Sequence, residues 1–318
     1  MATSHKKTKA ILNKHWKSIV ADKASGMSIK DISMSYGVSR QTLEARFKKQ
    51  VVTNTPANPS LRILVLDIEN APMMSYHWGL WAQDIHQGMR IPDTRSYMMC
   101  VAAKWLGEDE VFYYETRTED DSLISAQILK LVDEADIIIG HNAKRFDMKK
   151  INAYAILNGL TPPSPYRVID TMSIAKKEFS FERNTLEYLS NALCTSTKSS
   201  HKKFNGFELW SECMKGNEEA WDEMKRYNIQ DILVTEELYL KLRPWSKGHP
   251  NITTGSMSES KRCPTCGSLD LQPSGYSTTN TSQFKRYKCD NCGSYSRGRS
   301  NILTTPVKAN LLVSCSNG

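Results

Sequence analysis

The order of strand-like and helix-like segments between residues 61 and 246 places the strongest constraint on the fold. Three segments with the residue types of β-strands come first, and helical patterns then alternate with two short apolar runs. The predicted strands are RILVLDIEN (62–70), SYMMCVAAKWL (96–106), EVFYYET (110–116), IIIGHN (137–142) and RVIDT (167–171). After these strands the pattern is almost entirely helical. This order predicts an α/β fold in which helices pack on a mixed sheet.

Two segments rich in turn-forming residues divide the chain. Residues 51–60 combine Pro, Asn and Thr, and residues 247–260 combine Gly, Pro, Asn and Ser, so both are predicted linkers. The predicted parts are a small all-α domain (1–50), a central α/β domain (61–246), a small β domain (261–300) and a tail (301–318).

Charge is distributed unevenly along the chain, whose net charge is +8. Residues 1–57 carry 11 Lys and Arg against 3 Asp and Glu, residues 251–318 carry 8 against 3, and residues 58–250 carry 23 against 28. Basic ends around an acidic centre predict that the flanks bind a polyanion, although solvated surface charge also explains each cluster. Because the chain has neither a long apolar run nor a secretion signal, we expect a cytoplasmic protein.

Residues 8–50 have the pattern of short helices. Ser28 and Ser39 are predicted N-caps, and Gly37 lies in the turn between two helices. This segment resembles the helix-turn-helix DNA-binding modules of resolvases and transposases. The resemblance implies that the second helix faces nucleic acid with Arg40, Gln41 and Arg46. A three-helix module that binds another protein is the alternative.

Two carboxylates end the first predicted strand. Asp67 and Glu69 are separated by one residue, so their side chains share one face of the strand while Ile68 points to the other. Neighbouring carboxylates repel each other, and burial makes their charges costly unless a cation compensates them. Since hard oxygen ligands suit Mg²⁺ or Mn²⁺, the pair predicts a divalent-metal site, with an ordinary surface pair as the alternative.

Two further motifs lie in the helical segments. Asp147, in GHNAKRFDMKKI, begins a helix that follows a strand. Tyr227 and Asp231, in EMKRYNIQDILV, are four residues apart and therefore share a helical face. Either motif alone is common, since an acidic residue stabilises the start of any helix.

The three motifs together, in this order on strand, helix and helix, resemble the DEDDy branch of the DEDD superfamily of 3′–5′ exonucleases, known from polymerase proofreading domains. The resemblance covers residues 60–240 and implies a ribonuclease-H-like fold. The sister branch carries a His five residues before the last Asp, where this chain has Arg226. The catalytic set implied by the resemblance is Asp67, Glu69, Asp147, Tyr227 and Asp231.

The resemblance further implies hydrolysis of phosphodiester bonds with two Mg²⁺ or Mn²⁺ ions. Asp67, Glu69 and Asp231 would hold the ion that activates the attacking water. Asp67 would also bridge to a second ion at the leaving 3′ oxygen, and Asp147 would support that ion through water. Tyr227 would orient the water, because a phenol with a pKa of about 10 is a poor base at neutral pH.

Several polar residues adjoin the second motif. His141 and Asn142 end the strand before it and are candidates to contact the terminal nucleotide, although Asn142 is equally well explained as a helix cap. Lys144, Arg145 and Lys149 are candidates to contact phosphates, or they form a solvated helix face.

Two other segments of the central region have structural explanations. Asp170 ends the last predicted strand and is interpreted as an N-cap more readily than as a ligand. Trp78 and Trp81, in SYHWGLW, are predicted to lie in the core, with a base-stacking surface as the alternative.

Four of the eight cysteines form two C-x-x-C pairs separated by 22 residues. Four thiolates on two hairpins match a tetrahedral Zn²⁺ site, and the Gly after each second Cys permits the tight turn. Such a site has no open position, so its role would be structural. The predicted zinc ligands are Cys263, Cys266, Cys289 and Cys292.

Basic and aromatic residues alternate around the second pair, in QFKRYKCDNCGSYSRGRS. This segment resembles the zinc ribbons of transposases and phage proteins, which implies nucleic-acid binding. The residues concerned are Lys285, Arg286, Arg297 and Arg299. A structural or protein-docking ribbon is the alternative.

The sequence thus predicts a metal-dependent 3′–5′ exonuclease with two catalytic Mg²⁺ or Mn²⁺ ions, one structural Zn²⁺ and nucleic acid, DNA more than RNA, as its partner. The overall plan resembles phage-encoded exonucleases, which would place the protein in the cytoplasm of a bacterial host. A transposase- or resolvase-like strand-processing enzyme is one alternative, favoured by the combination of the three predicted domains. A non-catalytic DNA-binding regulator is the other.

Overall fold

A computed structural model describes residues 15, 18, 19, 22, 27–43, 61–92, 94–196, 203–255 and 259–315. The chain divides into two units, residues 1–59 and residues 60–318. No helix among these described residues is both long enough and apolar enough to cross a membrane.

The five strands predicted for the central region form one mixed sheet. The strands are β1 (Ile63–Asn70), β2 (Met98–Trp105), β3 (Val111–Glu115), β4 (Ile137–Gly140) and β5 (Arg167–Asp170). Their order across the sheet is β3-β2-β1-β4-β5, with β1 antiparallel to β2 and parallel to β4. The predicted α/β fold with a mixed sheet is therefore confirmed.

Helices cover both faces of this sheet. They are α2 (Ser122–Asp133), α3 (Asp147–Leu157), α4 (Thr171–Glu178), α5 (Leu186–Leu193), α6 (Glu208–Met214) and α7 (Glu218–Leu242), whereas α1 (Ile29–Tyr36) belongs to the first unit. Because side chains alternate along β1, Leu64 and Ile68 pack with α2 and α3, while Ile63 and Val65 pack with α4, α5 and α7.

In the first unit, α1 is followed by a turn and by helical residues 40–43. The backbone N–H of Asp31 donates to Ser28 Oγ, and that of Thr42 donates to Ser39 Oγ, so the two predicted N-caps are confirmed. The buried core contains Ile19, Ile32, Val38 and Leu43. The helix-turn-helix assignment stays a prediction, and Arg46 lies outside the described residues.

The core location predicted for Trp78 and Trp81 is wrong. Their exposed fractions are 89% and 63%, and they lie in the connection between β1 and β2. A β-bridge between Ser75 and Arg90 ties this connection, and none of residues 76–89 between them is buried. Connections run over the surface even when they carry aromatic residues.

A second, antiparallel sheet follows, with strands β6 (Leu271–Thr278), β7 (Gln283–Cys289) and β8 (Tyr295–Arg297) in that order, and a short helix α8 (Thr305–Ala309) lies beyond it. The predicted linker before this sheet packs against α7. The hydroxyl of Tyr239 lies 2.9 Å from His249 Nε2, and the backbone N–H of Ile252 donates to the carbonyl of Pro264.

Candidate active site

The end of β1 directs two carboxylates towards α7. Asp67 and Glu69 share the face of Val65, which packs in the cluster that contains α7, while Ile68 is buried on the other face. The pairing of β1 with β2 is irregular between Glu69 and Asn70. Such irregularities re-aim side chains at strand ends.

Helix α7 brings a third carboxylate to the pair. One carboxylate oxygen from each of Asp67, Glu69 and Asp231 lies within 4.8 Å of the others. Asp231 is 2% exposed, whereas Asp67 and Glu69 are half-buried. Three converging carboxylates with partial access to solvent fit a divalent cation, because its charge compensates their mutual repulsion.

Asp147 lies beside this group but is not one of the three. Its Oδ1 accepts a hydrogen bond of 3.2 Å from the backbone N–H of Ile68, the residue between the two β1 carboxylates. Burial, reinforced by the charge of Asp170, raises the pKa of Asp147 to about 7, although backbone hydrogen bonds oppose the shift. A nearby cation would favour its ionised form.

Tyr227 shares the helical face of Asp231, as the four-residue spacing predicts. Burial, followed by the negative charges of Asp231 and the two β1 carboxylates, raises the pKa of Tyr227 from its ordinary value of 10.0. The phenol therefore keeps its proton at neutral pH, and its side chain is hydrogen-bonded with Asp231.

Two site residues have no counterpart in the sequence prediction. Trp210, on α6, donates from Nε1 to Glu69 Oε2 at 3.1 Å, and its ring lies 6.0 Å from that of Tyr227 in an edge-on arrangement. Asn228 donates from Nδ2 to Asp67 Oδ2 at 2.8 Å and is fully buried. Asn228 lies three residues before Asp231, and this spacing places both on one helical face, so the sequence contained a signal for Asn228. No sequence pattern near Trp210 indicates its contact with Glu69.

The turn that delivers Asp147 is held by Asp170. The two carboxylate oxygens of Asp170 accept backbone hydrogen bonds from Asn142 (3.1 Å), Lys144 (3.2 Å) and Ser173 (3.1 Å), the last as the N-cap of α4. The N-cap interpretation of Asp170 is therefore confirmed, and the same side chain also anchors the turn after β4.

Gly140 permits this turn to approach β1. A Cβ at Gly140 would lie 2.5 Å from the Cβ of Ala143, which is too close for a real contact, and 3.2 Å from the carbonyl oxygen of Leu66, which is tight. Asn142 follows with a φ of 67°, a conformation that Asn adopts more readily than most residues.

The polar neighbours of Asp147 differ in their surroundings. His141 contacts Thr171 Oγ1 at 2.9 Å through Nδ1 and the Asn184 carbonyl at 3.0 Å through Nε2, so both ring nitrogens face the protein. Asn142 is half-buried. The three basic residues are exposed; they are Lys144, Arg145 and Lys149.

The four predicted zinc ligands lie together at one end of the second sheet, with Cys289 at the end of β7 and the other three in the adjoining turns. Their Sγ atoms are within 4.8 Å of one another, with Cys263 and Cys292 3.6 Å apart. Gly267 and Gly293 have φ values of 78° and 77°, which explains the glycine after each second Cys. This donor set fits Zn²⁺.

Hydrogen bonds favour the thiolate form of one of these cysteines. Burial opposes ionisation of Cys263, but hydrogen bonds from the Ser294 hydroxyl and from the backbone N–H groups of Cys266 and Thr265 outweigh it and lower the pKa of Cys263 to about 6. A thiolate is the form that binds a metal.

The residues predicted to bind nucleic acid outside the central sheet are exposed where the structure describes them. In the first unit these are Arg40 and Gln41, and in the second they are Lys285, Arg286, Arg297 and Arg299.

Part of the central region is similar in sequence to a known superfamily. Residues 87–243 match the sequence model of the RNase_H superfamily. This range contains Asp147, Tyr227 and Asp231 and begins after Asp67 and Glu69. A search of the curated proteins found no match.

Among solved structures, the chain is similar to the family B DNA polymerase from the hyperthermophilic archaeon Pyrobaculum calidifontis. The sequence identity is 19% and the TM-score is 0.45, over 58% of this chain and 25% of the polymerase chain. The match thus spans a quarter of the polymerase and carries no functional argument. The mixed sheet is consistent with the ribonuclease-H-like fold that the superfamily match over residues 87–243 indicates.

Proposed function

We propose that this protein is a metal-dependent nuclease that removes nucleotides from the 3′ end of nucleic acid, with DNA preferred over RNA. The observation that carries the proposal is the convergence of Asp67, Glu69 and Asp231, with their ligand oxygens within 4.8 Å of one another. The order of the motifs and the ribonuclease-H-like fold support it.

The chemistry requires residues that hold metal ions and residues that orient water. Asp67, Glu69 and Asp231 would hold one Mg²⁺ or Mn²⁺, and Asp67 with Asp147 would hold a second. When bound, such ions lower the pKa of the attacking water and stabilise the leaving oxygen. Trp210 and Asn228 keep Glu69 and Asp67 oriented through their hydrogen bonds.

Tyr227 supplies the positioning step. Because its pKa is raised, its hydroxyl stays protonated and donates a hydrogen bond to the attacking water, which limits the directions from which the water approaches phosphorus. Removal of the water's proton is left to solvent or to a carboxylate.

The test uses single- and double-stranded DNA and RNA in Mg²⁺ or Mn²⁺, each labelled in turn at its 5′ and 3′ ends. We expect a 3′ label to be released as a mononucleotide and a 5′-labelled strand to shorten stepwise. A circular single strand should stay intact, because it has no 3′ end. The Asp67→Asn variant, which retains the shape of the site, should be inactive.

Internal cleavage of the circle would contradict exonuclease action, and joined products would instead indicate a strand transferase. If the Asp67→Asn variant retained full activity, the assignment of the site would be wrong. An absence of hydrolysis with every substrate would favour a non-catalytic DNA-binding protein.

A further inference from the structure

The second sheet has a surface that the hydrolysis does not use. Along β7, Phe284, Arg286 and Lys288 project from one face because side chains alternate. On β8, Arg297 is paired with Arg286 and Tyr295 with Lys288, and directly paired residues share a face. We call these five residues the basic–aromatic face.

The planar groups of this face lie against one another. The guanidinium carbon of Arg297 is 3.9 Å from the ring centroid of Phe284, and that of Arg286 is 5.6 Å from the ring centroid of Tyr295. Arg286 also donates from Nε to the carbonyl of Ser274 at 2.7 Å, which fixes its orientation. The Tyr295 side chain nevertheless remains 58% exposed.

Within the parts of the chain that the structure describes, no carboxylate forms an ion pair with Arg286, Lys288 or Arg297. Three cations on so small a sheet attract a polyanion such as a phosphate backbone.

The planar groups indicate which form of nucleic acid fits. An exposed tyrosine ring and flat guanidinium groups stack on bases that are not already paired. In a duplex the bases stack on one another and present only their edges to a protein. A face that combines cations with stacking groups therefore favours a single strand.

The opposite face of the same sheet offers a natural comparison. Lys285 and Tyr287 project from it with Tyr276, which is paired with Lys285 and is 54% exposed, and Lys261 donates to the Tyr287 hydroxyl at 2.8 Å. Lys285, which the sequence groups with Arg286, is therefore separated from the basic–aromatic face by the sheet itself.

We propose that the basic–aromatic face binds single-stranded nucleic acid by stacking on unpaired bases and contacting their phosphates. This inference rests on the proposed function, because it assumes that the substrate is nucleic acid. It names the unpaired strand as the substrate class and assigns Phe284, Arg286, Lys288, Tyr295 and Arg297 to its binding.

The experiment measures equilibrium binding of fluorescein-labelled single-stranded DNA, single-stranded RNA and duplex DNA by fluorescence anisotropy. The full chain is used with Asp67→Asn in every variant and without added Mg²⁺ or Mn²⁺, so that the strand is not cleaved. Arg286→Ala with Arg297→Ala removes two charges from the basic–aromatic face. Lys261→Ala with Lys285→Ala removes two from the opposite face. The zinc content of each variant verifies that the ribbon is folded.

We expect the Arg286/Arg297 pair to weaken single-strand binding about tenfold, and the Lys261/Lys285 pair about twofold. Tyr295→Ala should weaken single-strand binding about fivefold and leave duplex binding unchanged, whereas Tyr295→Phe retains the ring and should bind as the parent does. The DNA and RNA arms show which strand the face prefers.

Equal losses for the two double variants would overturn the proposal, because binding would then not be specific to the basic–aromatic face. Equal losses for duplex and single strand, or an unaffected Tyr295→Ala variant, would overturn it as well. Hydrolysis by the active chain is measured separately. If the chain hydrolyses DNA while all variants bind alike, the proposed nuclease function is supported and the proposed role of the basic–aromatic face is contradicted. If the expected binding differences appear but no substrate is hydrolysed, only the proposed nuclease function is contradicted.

Discussion

At the scale of single residues, the environment of Tyr227 determines what its hydroxyl can do. Burial and three nearby carboxylates raise its pKa, so the phenol does not ionise as the pH rises through neutrality. The side chain is thus a hydrogen-bond donor over the whole range in which an enzyme of this kind would work.

We therefore predict that Tyr227→Phe lowers kcat about 100-fold through loss of water positioning. Since the folded pKa is raised, the proton stays bound, and the ratio of wild-type to variant kcat should be constant between about pH 6 and pH 9. Release of a 3′-labelled nucleotide measures the rates. A ratio that rises tenfold per pH unit would show that Tyr227 acts as a base.

Asn228 contacts the candidate site through a hydrogen bond to Asp67. Its amide donates to the carboxylate at 2.8 Å from a fully buried position, and this contact aims the carboxylate at the site. We predict that Asn228→Ala weakens Mn²⁺ binding about tenfold, as measured by calorimetry.

The control for Asn228→Ala is Arg226→Ala, since Arg226 is exposed on the same helix and pairs with Glu223. The control should bind Mn²⁺ as the parent does. The positioning role would be excluded if both variants lost affinity equally while remaining folded.

At the scale of elements, the turn between β4 and α3 depends on a side chain from β5. Asp170 is 5% exposed and accepts three backbone hydrogen bonds, so one carboxylate joins two adjacent strand ends. The position of Asp147 at the start of α3 follows from this anchor.

Asp170→Ala would break three partly buried hydrogen bonds to backbone N–H groups, and we predict a loss of about 2 kcal/mol in the free energy of unfolding. Asp170→Asn keeps one acceptor oxygen and should lose less. Urea unfolding measures both. Equal stability of Asp170→Ala and the parent would show that water replaces the anchor.

We expect the second sheet to depend on a metal at its four cysteines, because Cys289 is the only buried residue of its three strands. We predict that Cys266→Ser abolishes stoichiometric zinc binding and removes the amide-exchange protection of β6, β7 and β8, while β1–β5 keep theirs. Cys315→Ser, which changes an exposed cysteine outside the site, is the matched control. Retained zinc in Cys266→Ser would contradict the predicted ligand set.

At the scale of the whole molecule, basic ends flank an acidic centre, and residues 60–318 form a unit with its own core. We predict that a chain starting at residue 60 still hydrolyses short oligonucleotides but binds duplex DNA about tenfold more weakly at low salt, because eight net charges are removed. Unchanged duplex affinity would favour the protein-binding alternative for the first unit.

The sequence by itself determined the features that depend on local spacing. Alternation placed Asp67 and Glu69 on one strand face, the four-residue spacing paired Tyr227 with Asp231, and the order of apolar segments predicted the mixed sheet. These inferences hold because periods of two and 3.6 residues are properties of the backbone itself.

Only the tertiary structure decided which distant groups meet. Trp210 is 141 residues from Glu69, so no local pattern joins them. Residue type predicts a core position for Trp78, but the tertiary structure leaves it 89% exposed in a surface connection. Burial and long-range hydrogen bonds depend on how helices and strands pack against one another. Local patterns in a single sequence do not specify that packing.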